Sequence, residues 1–184
     1  MLTRRFDDAL VFARQCHEGQ TRNGTDIPYI SHPMAVASLV LEHGGDEDET
    51  IAALLHDVLE DVGPQAAGEI ESKFGKNVLS IVRECSDCEV PQGKAKPPWK
   101  TRKETYISQI KHKSKGALLV TSCDKLHNLT SIVRDYDEIG DRVWGRFSSD
   151  RESVKWYYQS LAQEFKRQHI GIAVHMDALI KKLP

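Results

Sequence analysis

The sequence predicts an all-α protein folded as a single domain over residues 1–184, and three observations carry that expectation. Apolar residues recur at spacings of three and four through most of the chain. The alternation of a half-buried strand is nowhere convincing, and glycine, proline and capping residues punctuate the helical stretches. With 40% hydrophobic and 28% charged residues, 184 residues are enough to bury a sizeable core. No internal repeat is visible.

Phe6, Ala9, Leu10 and Ala13 share one face of a first helix that extends to His17 and stops at Gly19. Asn23-Gly24 and Pro28 make a loop or short extended piece of the stretch from Gln20 to Ser31. Ser31-His32-Pro33 reads as an N-cap followed by proline in the first turn, which puts His32 at the mouth of a second helix. That helix carries Met34, Val36, Ala37, Val40 and Leu41 and stops at His43-Gly44-Gly45. Asp46-Glu47-Asp48-Glu49 has the form of a capping box, so a third helix starts there and runs to about Asp61, ahead of Gly63-Pro64. A fourth segment, Ala66 to Phe74, stops at Gly75, and a fifth contains Val78, Leu79, Ile81 and Val82.

Residues 87–100, with Pro91, Gly93, Pro97 and Pro98, form the long irregular stretch, and loops of such length in compact domains tend to be functional. It is basic: Lys94, Lys96 and Lys100 lead into Arg102 and Lys103. A sixth helix follows to about Ser114. Ala117-Leu118-Leu119-Val120 starts a buried seventh that contains Asp124-Lys125-Leu126-His127-Asn128. The interval 135–150 is polar and glycine-punctuated, and one or two closing helices run from Arg151 with Trp156, Tyr157, Leu161 and Phe165 on one face.

Lysine and arginine total 25 against 27 acidic residues, a net charge of −2, so no global field draws nucleic acid or an anionic membrane. The two arginines at positions 4 and 5 precede no apolar h-region, and no segment approaches the roughly 18 apolar residues of a membrane span. A cytoplasmic protein is expected. Cys16, Cys85, Cys88 and Cys123 are too sparse for a disulfide framework, and Cys85-Ser86-Asp87-Cys88 lacks the second half of a zinc ribbon, leaving two reduced thiols at a helix end.

Chemistry concentrates at His56-Asp57-Val58-Leu59-Glu60-Asp61, which follows the apolar run Ile51-Ala52-Ala53-Leu54-Leu55. Carboxylates and an imidazole against a greasy surface lose hydration and repel one another, a cost that a divalent metal offsets. Neighbouring helical residues point about 100° apart, so His56 and Asp57 can share a metal only where the helix wall meets a cavity, and further donors must come from elsewhere. His32 at a helix start and Asp124 within an apolar helix are the candidates. This mixed nitrogen and oxygen set suits manganese, iron or zinc better than calcium. Any one of these residues alone is more readily explained as a hydrogen-bonded core group; the combination is not.

The order His32, His56-Asp57, Asp124 resembles the ligand order of the HD-domain phosphohydrolases, an all-helical metal-dependent superfamily. Three segments bring it nearest to the hydrolase half of the RelA/SpoT enzymes and the small alarmone hydrolases: His17-Glu18-Gly19-Gln20-Thr21-Arg22, Pro28-Tyr29-Ile30-Ser31-His32-Pro33-Met34-Ala35-Val36-Ala37, and Ala53-Leu54-Leu55-His56-Asp57-Val58-Leu59-Glu60-Asp61. A fourth, Cys123-Asp124-Lys125-Leu126-His127-Asn128-Leu129, follows, and the likeness spans about residues 6 to 165.

The resemblance implies a single HD helical bundle that hydrolyses the 3′ pyrophosphate of ppGpp and pppGpp to GDP or GTP and pyrophosphate. It implies one divalent metal, Mn2+ by family preference with zinc or iron possible, on His32, His56, Asp57 and Asp124. Glu60 and Asp61 would position and deprotonate the attacking water. Arg22 would stack on guanine, Asn128 would contact the ribose or its 3′ phosphate, Lys100, Arg102 and Lys103 would steady the pyrophosphate, and Arg151 and Tyr157 would form the pocket's far wall. His127 is expected to face away. The chain departs from the family pattern at Arg22-Asn23, commonly Arg-Lys, and at Thr121-Ser122-Cys123, commonly Lys-Leu-Ala. The first bears on nucleotide preference. No room is expected for a synthetase domain. The partner expected is a guanine nucleotide, with nucleic acid and membrane excluded. The rivals are another nucleotide or NADPH phosphohydrolase of the same fold and a non-catalytic nucleotide sensor; a two-metal cyclic-nucleotide phosphodiesterase would need histidines other than His112 between Asp57 and Asp124.

Overall fold

The computed structural model describes residues 1–86 and 97–184. Helices dominate: α1 (Arg4–Cys16), α2 (Ser31–Glu42), α3 (Glu47–Leu55), α4 (Val58–Asp61), α5 (Ala67–Phe74), α6 (Lys76–Cys85), α7 (Trp99–Gln109), α8 (Lys115–Ile139), α9 (Arg151–Arg167) and α10 (Ile172–Ile180). The described residues contain no β-strand, only an isolated antiparallel bridge between Thr21 and Pro28. The all-α expectation holds. The chain divides into two compact units, one of residues up to 86 with Lys113–Thr121, the other of Pro97–His112 with Ser122–Pro184.

In the first unit, α3 is the central element because it is apolar all round: Thr50 through Leu55 are all buried. It packs on α1, α2 and α6. Burying Ile51, Leu54 and Leu55 stabilises the fold by about 1.5–3 kcal/mol each. The capping box forms as the sequence predicts, with the Glu49 backbone N–H donating to Asp46 Oδ1 and the Asp46 N–H donating to Glu49 Oε2, both at 2.9 Å. Arg5 of α1 ties the start of α3 down by donating to Glu47 and Asp48 and to the Phe74 carbonyl.

Several boundaries differ from expectation. The third helix does not run unbroken to Asp61: it ends at Leu55, His56 and Asp57 form a turn, and α4 is one short segment. Asp57 sits at φ −94°, ψ −7°, in the bridge region where the helix loses its register. Ser31 is already helical and caps nothing with its side chain, since the cap position belongs to Ile30; His32 is still in the first turn. Lys100 belongs to α7 and not to the irregular stretch; the remainder of the basic loop, 87–96 with Lys94, Lys96 and Cys88, lies outside the described residues.

The second unit is built on α9, which packs against α7 and α10. Tyr106, Leu161, Phe165, Ile172 and Met176 are all but fully buried, so the apolar face read from Tyr157, Leu161 and Phe165 is a core face, with Trp156 only partly covered. Helix α8 continues to Ile139, five residues into the stretch read as irregular, before Gly140 at φ +59° turns the chain into a 3-10 segment, Gly140–Arg146. The closing helices number two.

Candidate active site

Because α3 is buried on every side, the residue that follows it is delivered into the interior. His56 is 3% exposed, and its Nδ1 lies 2.8 Å from the Ala53 carbonyl oxygen, to which it can only donate. The proton therefore sits on Nδ1, and the Nε2 lone pair is left to face Asp57 Oδ2 at 3.1 Å. His32, 1% exposed in the first turn of α2, brings its own Nε2 to 3.5 Å from the same carboxylate oxygen. The two imidazoles meet edge to face with centroids 5.1 Å apart. Two buried imidazoles converge through Nε2 on one carboxylate oxygen, and a divalent transition metal fits that mixed nitrogen and oxygen chemistry.

Asp57 is steadied from outside helix α3. The Tyr29 hydroxyl donates to Asp57 Oδ2 at 2.5 Å, and the Tyr29 ring stacks against His17, centroids 4.8 Å apart. The Arg22 guanidinium lies over the Tyr29 face, 5.7 Å from its centroid. Asp61, about a third exposed, accepts from Gln20 Nε2 at 2.9 Å, and Glu60 accepts from the Ser86 hydroxyl at 3.3 Å. The first unit thus gathers His32, His56 and Asp57, with Glu60 and Asp61 one turn on and Arg22 against Tyr29.

In the second unit Asp124 is buried, its Oδ1 accepting from Asn128 at 2.6 Å and its Oδ2 paired with Lys125 Nζ at 2.7 Å. Burial, the largest single influence, would lower the Lys125 pKa, but the Asp124 charge and hydrogen bond together with Tyr106 and Tyr157 outweigh it and hold the ammonium well above the ordinary lysine range. Lys125 Nζ also lies over the Tyr106 ring, 5.0 Å from its centroid. Lys100 Nζ sits 3.4 Å from the Trp156 centroid and Lys103 Nζ 5.0 Å from that of Tyr157. Arg102 donates to the Pro97 carbonyl, Tyr157 is buried and meets Trp99 edge to face, and Arg151 pairs with Asp141 and Glu152.

Sequence reasoning gave no role to His17, Gln20, Tyr29 or Lys125. The first three lie within the motif segments already singled out, so position marked them but no spacing rule revealed their contacts. Lys125 also lies within a motif segment, but an Asp-Lys pair inside a helix reads equally well as solvated.

The HD domain profile matches residues 9–152. The chain belongs to the HD domain family. It is 37% identical over 179 residues to the guanosine-3′,5′-bis(diphosphate) 3′-pyrophosphohydrolase MESH1 of Mus musculus, covering 96% of this chain and 90% of the mouse protein. The corresponding Homo sapiens protein is 34% identical over 162 residues, 86% of this chain and 82% of its own. The bifunctional (p)ppGpp synthase/hydrolase SpoT of Escherichia coli is 33% identical over 129 residues, 70% of this chain but 18% of that protein. A solved structure described as a metazoan ortholog of SpoT that hydrolyzes ppGpp matches with a TM-score of 0.77 at 23% identity, over 99% of this chain and 97% of that one. At that identity the likeness is one of fold. No helix among the described residues is long and apolar enough to cross a membrane.

Proposed function

We propose that this HD-domain protein is a metal-dependent (p)ppGpp 3′-pyrophosphohydrolase, cleaving the 3′ pyrophosphate with water to give GDP or GTP and pyrophosphate. The observation that carries the reading is the 37% identity to a guanosine-3′,5′-bis(diphosphate) 3′-pyrophosphohydrolase over 96% of the chain. The donor set in the first unit supplies the chemistry that such a reaction needs.

His32, His56 and Asp57 hold the metal in this reading, with Asp124, at its place in the family motif order, as the fourth ligand and manganese as the ion. A divalent cation bound there lowers the pKa of water and withdraws charge from a phosphoryl oxygen. Asp61 accepts the proton of the attacking water, and Glu60, oriented by Ser86, positions it. The Arg22 guanidinium, poised over Tyr29, offers its planar face to guanine. Asn128 contacts the ribose side, and Lys100, Arg102 and Lys103 take the pyrophosphate, with Arg151 and Tyr157 on the far wall. The aromatic rings of Trp156 and Tyr157 beneath the Lys100 and Lys103 ammoniums hold these charges in place.

The test is turnover of ppGpp by purified protein with manganese added or chelated, products being separated by ion exchange beside a panel of nucleotides and NADPH. GDP and pyrophosphate formed only with the metal are expected. Orthophosphate released from another substrate, with ppGpp untouched, would overturn the substrate assignment, and ppGpp bound without cleavage would overturn the enzyme.

A further inference from the structure

The turn after α1 carries a second set of polar groups, gathered around the buried His17. Gly19, at φ +75°, lets the chain reverse, and Tyr29 N–H donates to the Gln20 carbonyl at 2.9 Å while Arg22 N–H donates to the Ile27 carbonyl at 2.8 Å. Gln20 and Tyr29 are therefore locked side by side by backbone bonds. The His17 side chain is fully buried beneath them.

The hydrogen-bond polarity of this group follows from the chemistry of its members. Gln20 touches Asp61 Oδ2 at 2.9 Å and His17 Nδ1 at 2.8 Å through opposite atoms of its carboxamide. Against a carboxylate, only the amide nitrogen makes a bond; the flipped amide would set oxygen against oxygen. The carboxamide oxygen must then accept, so His17 donates from Nδ1. His17 Nε2 is buried and has no hydrogen-bond partner among the described residues, as suits a bare lone pair. The chain His17 Nδ1–H to Gln20 oxygen, and Gln20 N–H to Asp61, runs in one direction. Such chains reinforce each bond in turn.

We infer that His17 and Gln20 are positioning residues: through one directed relay they hold Asp61 in its working orientation, while the His17–Tyr29 stack sets the donor that fixes Asp57. The inference rests on the reading of Asp61 as the group that takes the proton from water. It explains why a buried histidine sits beside Asp61 without reaching it directly: the imidazole lies 3.6 Å from Asp61 Oδ2, and Gln20 bridges the gap. An oriented carboxylate with one oxygen tied leaves the other directed at water, the logic by which a third group orients a catalytic base.

Long-range proton–nitrogen NMR of the full chain without substrate reads the tautomer. A His17 signature protonated at Nδ1 is expected, and a proton on Nε2 overturns the relay whatever the substrate proves to be. In kinetics, Gln20→Leu and His17→Leu should each lower kcat about 10- to 100-fold, the range for groups that orient a ligand or base, with KM within twofold. His17→Asn, whose amide nitrogen falls near the position of Nδ1, should recover most of that loss; a packing role would give no such rescue. Gln20 is only half-buried, so its variant disturbs the core less than the His17 variant and serves as the second test. Wild-type kcat in Gln20→Leu beside an inactive Asp61→Ala overturns the relay and leaves the mechanism standing. Wild-type kcat in Asp61→Ala removes both.

Discussion

In the first unit the ionisable groups around Asp57 are held by directional bonds of 2.5–2.9 Å, from Tyr29 to Asp57 and from Gln20 to Asp61. In the second, Lys100 and Lys103 lie on the faces of Trp156 and Tyr157, in contacts that tolerate displacement and rotation. The contrast matches two demands. Proton transfer and metal ligation fail when an oxygen moves by an ångström, whereas attraction of a polyphosphate depends on charge more than on angle.

Substitutions around Asp57 in the first unit should therefore act on chemistry, and those of Lys100 and Lys103 in the second on binding. The largest effect is expected for Asp57→Ala, which removes the oxygen shared by both imidazoles: bound metal and turnover should both be lost, as metal analysis and a turnover assay would show. Asp61→Ala should reduce kcat about 10²- to 10⁴-fold, the usual worth of a general base, with metal content unchanged. If Asp61→Ala lost its metal as well, the division between ligand and base within this unit would be wrong.

Lys100→Ala with Lys103→Ala should raise KM with little change in kcat. Each ammonium contributes about 0.5–1 kcal/mol as a solvent-accessible ion pair with the substrate, so the pair amounts to about 5- to 30-fold, shrinking as salt rises. A drop in kcat without a change in KM would place these lysines in the chemistry and dissolve the contrast.

The sequence made legible whatever is local or repeated. Asp46 and Glu49 announced the capping box, Gly44 and Gly75 the helix stops, and the all-round apolar run from Ile51 to Leu55 the buried helix that carries His56 inward. The break at His56-Asp57 was hidden, because Leu-His-Asp-Val contains no glycine or proline; its carboxylate is tied to Tyr29, 28 positions away in sequence, and such pairing leaves no periodic trace. The same holds for the His17–Gln20–Asp61 chain, whose ends are 44 residues apart in number and meet only on folding. The extension of α8 to Ile139 went unread because the polar run after Asp135 looks like a loop, yet Tyr136 stacks against Trp144, 6.1 Å between centroids.

Asp48 asks whether directional bonding in the first unit also stabilises the fold away from the site. Burial pushes its carboxyl upward, but hydrogen bonds from Asn77 at 2.9 Å and Arg5 at 2.8 Å outweigh this and hold it below the usual aspartate range. A depressed folded-state pKa means that the folded protein favours the carboxylate, so its stabilisation is complete above the usual range and is lost as pH falls through the lowered value. Asp48→Asn should lower stability at neutral pH by about 1 kcal/mol or less, since Arg5 is partly exposed and such pairs are screened. Thermal melts of the two proteins should converge as the medium is acidified and both side chains become neutral. A gap that stays constant with pH would assign the effect to packing and not to charge.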